Sequence, residues 1–432
     1  MEYDFEHYLL AGHGRAYLMA KQDPEKYRDR ILEACRKDYT FDMQCEGSRA
    51  FLTADLVSLF EDKTPFIEAA QEAFDDPSTD TDLHQMQYLS DLLLEYGKRR
   101  SLIAKFESIK EKIYTDGSDD LLDPFEYLAI KLMQSGSEKT LGTVIGSIGR
   151  WFLTREGESL QMLKSSFSWF DSCAEEKFGE DRFKIARENS KDPEAVDEYL
   201  KVMSCEIKSP VKKKQDVTAE EVLSRLKEVA SIDSRSFKIE GLSDLSQEEL
   251  VKLAKYVETE IDLEVKAWIV WVFGSPRSVW PLDISILLDL SKSDHERLKA
   301  KSCLALSFFK DERIRELGLE MLKSGFDPVA LELVINNFKE EDEELVLGFL
   351  ESIPITSDDE SNWHGIVSAI NKRHGNISLS ILKWVYESSL CSWCREAVVE
   401  DMLEVWTFPE EYKEEVKWDA NLDIRALFEE EK

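Results

Sequence analysis

Apolar residues recur three and four positions apart along most of the chain, the spacing of amphipathic helices. The clearest cases are residues 220–230, 247–261 and 311–325. Residues 236–242 are the best candidate for a strand, and a connector explains them equally well. The pattern therefore predicts an all-α fold.

Two of these helices carry start signals. Thr218 with Glu221, and Ser246 with Glu249, have the spacing of a capping box. In that motif the hydroxyl and the carboxylate each bond a backbone N–H that the helix leaves unsatisfied.

In the second half of the chain the apolar pattern repeats about every 31 to 35 residues. The same three positions of a helix recur as Ala267, Val270 and Trp271, then as Ala300, Cys303 and Leu304, then as Leu331, Val334 and Ile335. A helix-turn-helix unit of this length is typical of an α-solenoid, in which helix pairs bury their apolar faces against their neighbours.

The units at residues 265–290 and 298–322 resemble HEAT-like repeats of the short bacterial kind, and the resemblance covers about residues 248–406. It implies a curved stack of antiparallel helix pairs that binds other macromolecules. The resemblance implies no catalytic residues.

The first half of the chain is also helical but less regular. Residues 7–20 and 83–113 each read as one helix. Breaks are predicted before Pro24, Pro65 and Pro77 and within residues 115–124, because the residue before a proline is pushed out of the α region.

A hinge is predicted at residues 208–218, where a proline, a charge run and a new helix start coincide. We therefore expect three regions. They are an irregular helical region at 1–207, a linker with a connector helix at 208–247, and HEAT-like repeats with an acidic tail at 248–432.

The net charge of the chain limits the class of partner that it can bind. The chain has 55 Lys and Arg against 88 Asp and Glu, a net charge of −33. Such a surface repels phosphate backbones, so nucleic acid is not an expected partner. A protein is expected instead, and a basic protein is one alternative.

Location is predicted from three features. The N-terminus lacks the pattern of a signal peptide, and the longest apolar run, residues 267–273, is too short to cross a bilayer. Seven cysteines, an odd number in a long chain, suit a reducing compartment. We expect a cytoplasmic protein without a membrane partner.

Cys391 and Cys394 form a CxxC pair, the spacing of half a zinc site or of a redox dithiol. A structural zinc needs four ligands, and the sequence has no second CxxC. In a helix, both cysteines share one stripe with Val398, Met402 and Val405. We therefore interpret the pair as core packing, with a metal site and a redox site as alternatives.

Two glycine-containing stretches place charged or titratable side chains near predicted helix starts. His13 and Arg15 lie in one, and Glu46 and Arg49 in the other. Together they make an anion or peptide-carboxylate pocket plausible. Close approach of helices is the alternative reason for the glycines. The same reason is predicted for Gly142, Gly146 and Gly149, which fall on one helix face.

Tryptophans are candidates for partner contacts because they combine a large apolar area with one N–H donor. Trp280, in the turn after residues 274–279, is the leading candidate. Arg277, Trp268 and Trp271 lie nearby. The acidic blocks at 339–344 and 429–432 are interpreted as solvated faces.

No hydrolase elbow, phosphate loop, HExxH or EF-hand motif occurs, so no catalytic, cofactor-binding or metal-ligating residues are predicted. Our first interpretation is a non-enzymatic scaffold that binds a protein partner on a solenoid surface. The second is an acidic inhibitor or immunity-type protein that neutralises a basic, nucleic-acid-binding partner. The third is an enzyme with a site around His13, Arg15 and Glu46. The oligomeric state is left open.

Overall fold

The structure is a computed structural model that describes residues 3–117, 119–155, 158–205, 217–230, 242, 245–325, 328–353, 366–367, 370, 377–405 and 408–428. These residues form α-helices and short 3-10 helices, and none of them forms a β-strand. The predicted all-α class is confirmed.

The chain divides into two compact units. Unit 1 comprises Met1–Ser209, Leu390–Glu396 and Pro409–Lys432, and unit 2 comprises Pro210–Ser389 and Ala397–Phe408. This division differs from the predicted regions, because the sequence assigned all of 248–432 to one repeating region. Two C-terminal segments belong to unit 1 since their polar side chains bond to its N-terminal residues, as described below. The predicted hinge at 208–218 and the strand candidate at 236–242 lie almost entirely outside the described residues.

Unit 1 begins with thirteen described α-helices before residue 209. They are α1 (Phe5–Leu10), α2 (Arg15–Gln22), α3 (Arg28–Ala34), α4 (Ala50–Ser58), α5 (Thr64–Asp75), α6 (Leu83–Glu95), α7 (Arg99–Asp116), α8 (Leu122–Gln134), α9 (Glu138–Leu153), α10 (Leu160–Ser166), α11 (Ser168–Phe178), α12 (Arg182–Asn189) and α13 (Pro193–Met203). Helix α24 (Leu422–Ala426) also belongs to unit 1. So do the 3-10 helices Pro24–Tyr27, Pro77–Asp80, Asp119–Leu121, Glu410–Tyr412 and Val416–Trp418.

Two stretches that read as single helices are broken in unit 1. Residues 7–20 divide into α1 and α2, and residues 83–113 divide into α6 and α7. Gly12 and Gly97 lie in the two breaks with φ of 64° and 67°. Glycine adopts this left-handed conformation without steric penalty, so each glycine ends a helix that its apolar pattern would continue. The breaks predicted at Pro24, Pro65 and Pro77 are confirmed, since all three prolines lie in the first turn of a new helix.

Three glycines lie on one face of α9, where another segment of the chain packs directly against the helix. Gly142, Gly146 and Gly149 face the connection between α12 and α13 and the start of α13. A Cβ atom on Gly149 would lie 1.8 Å from the Ala195 carbonyl oxygen, and one on Gly142 would lie 2.7 Å from the Asn189 carbonyl carbon. The prediction that these glycines permit close packing is confirmed.

Nine described α-helices lie wholly within unit 2. They are α14 (Ala219–Ala230), α15 (Gln247–Thr259), α16 (Leu263–Trp271), α17 (Ile284–Leu290), α18 (Glu296–Leu306), α19 (Glu312–Ser324), α20 (Pro328–Asn336), α21 (Glu343–Glu351) and α22 (Leu379–Ser388). Helix α23 (Ser392–Val405) begins among the residues of unit 1 and ends among those of unit 2.

The two predicted helix starts in unit 2 behave differently. At α14 the capping box is complete, since the Glu221 N–H bonds Thr218 Oγ1 at 3.3 Å and the Thr218 N–H bonds Glu221 Oε2 at 3.1 Å. At α15 the Glu249 N–H bonds Ser246 Oγ, but the Glu249 carboxylate accepts the N–H of Ala219 at 2.7 Å. Glu249 therefore caps the neighbouring helix and ties the two helix starts together.

Alternate helices of unit 2 contact one another. Helix α14 packs on α16, α16 on α18, and α18 on α20, while α15, α17 and α19 each contact a helix of that row. Their apolar faces form one core, which includes Leu253, Val270, Phe273 and Leu306.

Candidate functional site

A cluster of buried charged side chains surrounds residues 10–15 of unit 1. Arg15 forms a bidentate ion pair with Glu415, with Nε to Oε2 at 2.7 Å and Nη2 to Oε1 at 2.9 Å. Its third nitrogen, Nη1, donates to the Tyr8 hydroxyl at 2.7 Å. The Glu415 side chain is almost fully buried, whereas that of Arg15 is partly exposed. This pair joins the start of α2 to the C-terminal segment.

His13 lies under this pair with no solvent exposure. Its Nδ1 accepts the backbone N–H of Arg15 at 3.1 Å, and its Nε2 lies 3.9 Å from Glu415 Oε1. Burial lowers the pKa of His13 well below 6.5, and the charges of Arg395 and Arg15 lower it further. The imidazole is therefore neutral at pH 7.

Glu46 and Arg49 form a second ion pair in the same cluster, at 2.7 Å. Arg49 Nη1 donates to the Leu10 carbonyl, and Nη2 donates to the Leu390 carbonyl at 2.8 Å. Glu46 also accepts the Ser392 N–H at 3.0 Å. Burial raises the pKa of Glu46, but Arg49 and the backbone N–H donors outweigh it and hold the pKa below its ordinary value.

Arg395 and Asp419 form the third pair, and neither side chain is exposed. Arg395 Nη2 also donates to the carbonyls of Ala11 and Gly12, at 3.0 and 3.1 Å. The Gly12 carbonyl in turn accepts the Ala420 N–H at 2.8 Å. Both arginines thus converge on residues 10–12, which brings the two predicted stretches together.

The glycines in this cluster allow backbones to approach. A Cβ on Gly14 would lie 1.8 Å from the Glu415 carbonyl oxygen, and one on Gly12 would lie 2.8 Å from the Ala420 Cβ. Of the two explanations for these glycines, close approach within the chain is the one the structure supports.

The cluster is electrically balanced, since Arg15, Arg49 and Arg395 face Glu415, Glu46 and Asp419. The carboxylates of the chain occupy the positions where a bound anion would pair. His13, Arg49 and the Glu46 side chain are also buried. Their burial contradicts the predicted role as partner-contact residues, and of the four side chains only that of Arg15 is partly open to solvent.

The predicted exposure of Trp280 is also wrong. Only 3% of this residue is exposed, its ring packs edge-on against Phe273 with centroids 5.0 Å apart, and its Nε1 donates to the Asp283 carbonyl at 3.3 Å. The turn folds back on its own unit because that burial removes a large apolar area from water. Trp280 is a core residue.

The other candidates of that region lie at the surface of unit 2. Trp271 and Arg277 line a cavity of about 310 Å³, together with Leu242, Val272, Gly274, Ser275 and Ser278. Arg277 is exposed and forms no ion pair with the residues that the structure describes. Trp268 is half-buried beside Trp271, with ring centroids 5.5 Å apart, and the guanidinium of Arg297 lies over its ring. The cavity has an apolar wall and one cation.

Two exposed tryptophans were not predicted as contact residues. Trp393 is 53% exposed and Trp169 is 49% exposed. A signal for Trp393 was present in the sequence. At 100° per residue it lies about 200° around the helix from Cys391, opposite the buried stripe.

The predicted burial of the cysteine pair is confirmed. Cys391 and Cys394 are 0% and 3% exposed, and Val398 and Met402 on the same stripe are also buried. The side chain of Val405 lies outside the described residues. In the described part of the chain, no group of three or more His, Cys, Asp or Glu side chains is placed to hold a metal ion.

Carboxylates collect along α21 and in the turn before it. Glu340, Glu343, Glu344 and Glu351 line a shallow depression with Leu347, and none of the four forms an ion pair with a described residue. Glu341 differs, since it pairs with Arg315 at 2.6 Å. The four remaining carboxylates are available to a cationic partner.

The chain matched no protein-family model, no curated protein and no solved structure. Within the described residues, no helix is both long and apolar enough to cross a membrane. Function therefore has to be argued from the surfaces described above.

Proposed function

We propose that this protein is a helical-repeat scaffold that binds a protein partner on the surface of unit 2. Two observations support an α-solenoid there. Alternate helices from α14 to α20 contact one another in a row, and the apolar pattern repeats in α16, α18 and α20 of that row. In such a stack each helix pair contacts mainly its neighbours, which leaves a continuous surface for binding.

The cavity lined by Trp271 and Arg277 is the observation that carries the proposal. Its volume, about 310 Å³, lies at the lower end of the range for ligand pockets, roughly 300 to 1,000 Å³. Trp271 and Val272 offer apolar area, and the guanidinium of Arg277 offers a charged donor. A partner segment with an apolar side chain next to a carboxylate fits this chemistry.

The test compares Arg277→Glu with the wild type and with Arg100→Glu in capture of proteins from the native cell. Arg100 is also exposed and forms no ion pair with the described residues, so it is a suitable control. Both variants replace an arginine with a glutamate and therefore change the net charge equally. We expect a partner whose capture falls at least about fivefold with Arg277→Glu, a loss of roughly 1 kcal/mol. Equal capture by all three proteins would refute the role of the cavity.

The second candidate function is an acidic protein that neutralises a basic partner. The unpaired carboxylates near α21 and the net charge of −33 favour it. Such binding depends on charge, so it weakens as the Debye length falls from about 8 Å at physiological salt to about 3 Å at 1 M. Binding in the Trp271 cavity depends less on salt.

One double variant, combined with high salt, separates the two functions. Glu343→Lys with Glu344→Lys should abolish capture of a basic partner and leave binding at the Trp271 cavity intact. Capture that persists at about 1 M salt and in this double variant excludes the acidic alternative.

A further inference from the structure

The start of α23 places two cysteine sulfurs together in a particular way. Cys391 immediately precedes the first helical residue, Ser392, and Cys394 lies in the first turn. The N–H of Cys394 donates to the Cys391 sulfur at 3.4 Å, and the Cys394 thiol donates to the same sulfur. The N–H of Trp393 is a third donor to it.

These donors stabilise a thiolate on one cysteine only. The hydrogen bond from the Cys394 thiol lowers the pKa of Cys391, against the effect of burial. The same hydrogen bond and burial raise the pKa of Cys394. The nearby carboxylate of Glu46, which is paired with Arg49, raises both pKa values. The Cys391 thiol therefore loses its proton more readily than the Cys394 thiol, the asymmetry of a reactive CxxC pair.

The spacing also suits a covalent bond. In an α-helix, residues three apart have Cα atoms about 5 Å from each other, given a rise of 1.5 Å and a radius of 2.3 Å. Disulfides form at Cα separations of roughly 4.4 to 6.8 Å. Joining the two sulfurs therefore needs little movement of the backbone.

From this arrangement we propose that Cys391 and Cys394 are a redox-active dithiol that a small peroxide oxidises to an intramolecular disulfide. The Cys391 thiolate attacks one peroxide oxygen, the O–O bond breaks, and Cys391 becomes a sulfenic acid while hydroxide leaves. The Cys394 thiol then attacks the Cys391 sulfur, its proton goes to the departing hydroxide, and water leaves. In total, two thiols and one hydrogen peroxide give one disulfide and two waters.

Burial determines the oxidant. The two cysteines are 0% and 3% exposed, so a small neutral peroxide reaches them more easily than a bulky disulfide. The site differs from the core cysteines Cys35 and Cys303, which are equally buried. For Cys35, burial raises the pKa of the thiol to about 12, and Cys303 contacts the sulfur of Met321 rather than another cysteine.

The experiment uses the full chain. The protein is treated with hydrogen peroxide, the remaining thiols are alkylated, and tryptic peptides are weighed. Cleavage after Lys383 and Arg395 gives residues 384–395, which contain both cysteines. We expect this peptide to lose two hydrogens, to resist alkylation until a reductant is added, and to react at least about tenfold faster than Cys303.

Two variants complete the test. Cys394→Ser should stop the reaction at a sulfenic acid on Cys391 that dimedone traps, and Cys391→Ser should remove the oxidation of Cys394. Circular dichroism and a melting curve establish that each variant is folded. The proposal fails if residues 384–395 of the wild type remain fully alkylated while exposed Cys45 is oxidised, or if Cys391 pairs with Cys45 instead.

Discussion

Arg395 and Asp419 form a bidentate ion pair in the interior of unit 1, with Nε to Oδ2 at 2.8 Å and Nη2 to Oδ1 at 3.1 Å. Neither side chain is exposed. Because Arg395 also bonds the carbonyls of Ala11 and Gly12, this pair holds three distant segments of the chain together.

Removing one partner should lower the free energy of unfolding by far more than the intact pair contributes to it. Arg395→Met leaves the Asp419 carboxylate buried without its cation, which typically costs about 3 to 5 kcal/mol. We expect the free energy of unfolding of Arg395→Met, measured with urea, to be lower than that of the wild type by this amount.

The exposed pair Arg187 and Asp197, at 3.1 Å, provides the control. Arg187→Ala should cost less than about 1 kcal/mol, because both partners remain hydrated. Adding Asp419→Leu to Arg395→Met should recover part of the loss, since no charge then stays buried unpaired. Similar costs for Arg395→Met and Arg187→Ala would contradict the burial of the first pair.

Gly14→Ala tests the close approach of α2 and the C-terminal segment. Gly14 has φ of −61°, which alanine adopts without strain, so the substitution adds no backbone strain. Its Cβ would lie 1.8 Å from the Glu415 carbonyl oxygen, a backbone atom that has no rotamer to change. We expect a loss of at least about 2 kcal/mol in the free energy of unfolding.

Gly47→Ala is the matched control for that variant. A Cβ on Gly47 meets no atom within 4 Å, and its φ lies outside the left-handed region. Its stability should stay within roughly 0.5 kcal/mol of the wild type. A Gly14→Ala protein as stable as Gly47→Ala would show that residues 415–419 do not lie against α2.

Local features of this fold could be predicted from the sequence. The helices of unit 2, the cap at Thr218 and the glycine face of α9 each depend on residues within one or two turns of one another. The burial of Cys391 and Cys394 followed from helical periodicity in the same way. Local spacing carries this information because hydrogen bonds and side-chain directions repeat along a helix.

Long-range pairing could not be predicted. Nothing near Arg395 in the sequence indicates that it meets Asp419 or the Gly12 carbonyl. The fate of Glu249 shows the same limit, since its spacing predicted a bond to its own helix start and its carboxylate bonds Ala219 instead. Trp280 was placed at the surface because a turn was expected to be exposed, and tertiary packing against Phe273 determined its burial.

His13 should make stability depend on pH in a defined window. Its pKa is held well below 6.5 in the folded state, so the unfolded chain binds the proton first as the pH falls. The stability linked to this group is complete above about pH 6.5 and is lost as the pH falls toward the folded-state pKa. His13→Gln removes that contribution.

The measurement compares the free energy of unfolding of the wild type and His13→Gln at about pH 7.5 and about pH 5.5. The difference between the two proteins should narrow at the lower pH. Buried Glu126, whose pKa burial raises to about 7, changes stability in the opposite direction but does so in both proteins. The same replacement at His84 of α6 controls for the loss of a histidine. A difference that is equal at both pH values would mean that His13 titrates normally.

Trp280→Ala should damage the fold of unit 2 rather than its surface. The side chain is nearly fully buried, packs edge-on against Phe273 and bonds the Asp283 carbonyl, so truncation leaves a large cavity and removes a hydrogen bond. A loss of about 3 to 5 kcal/mol in the free energy of unfolding is expected. Arg277→Ala, three residues earlier on the exposed rim of the cavity, should change stability by less than roughly 0.5 kcal/mol and weaken partner capture. If Trp280→Ala were as stable as the wild type and Arg277→Ala were not, the assignment of core and surface in this turn would have to be reversed.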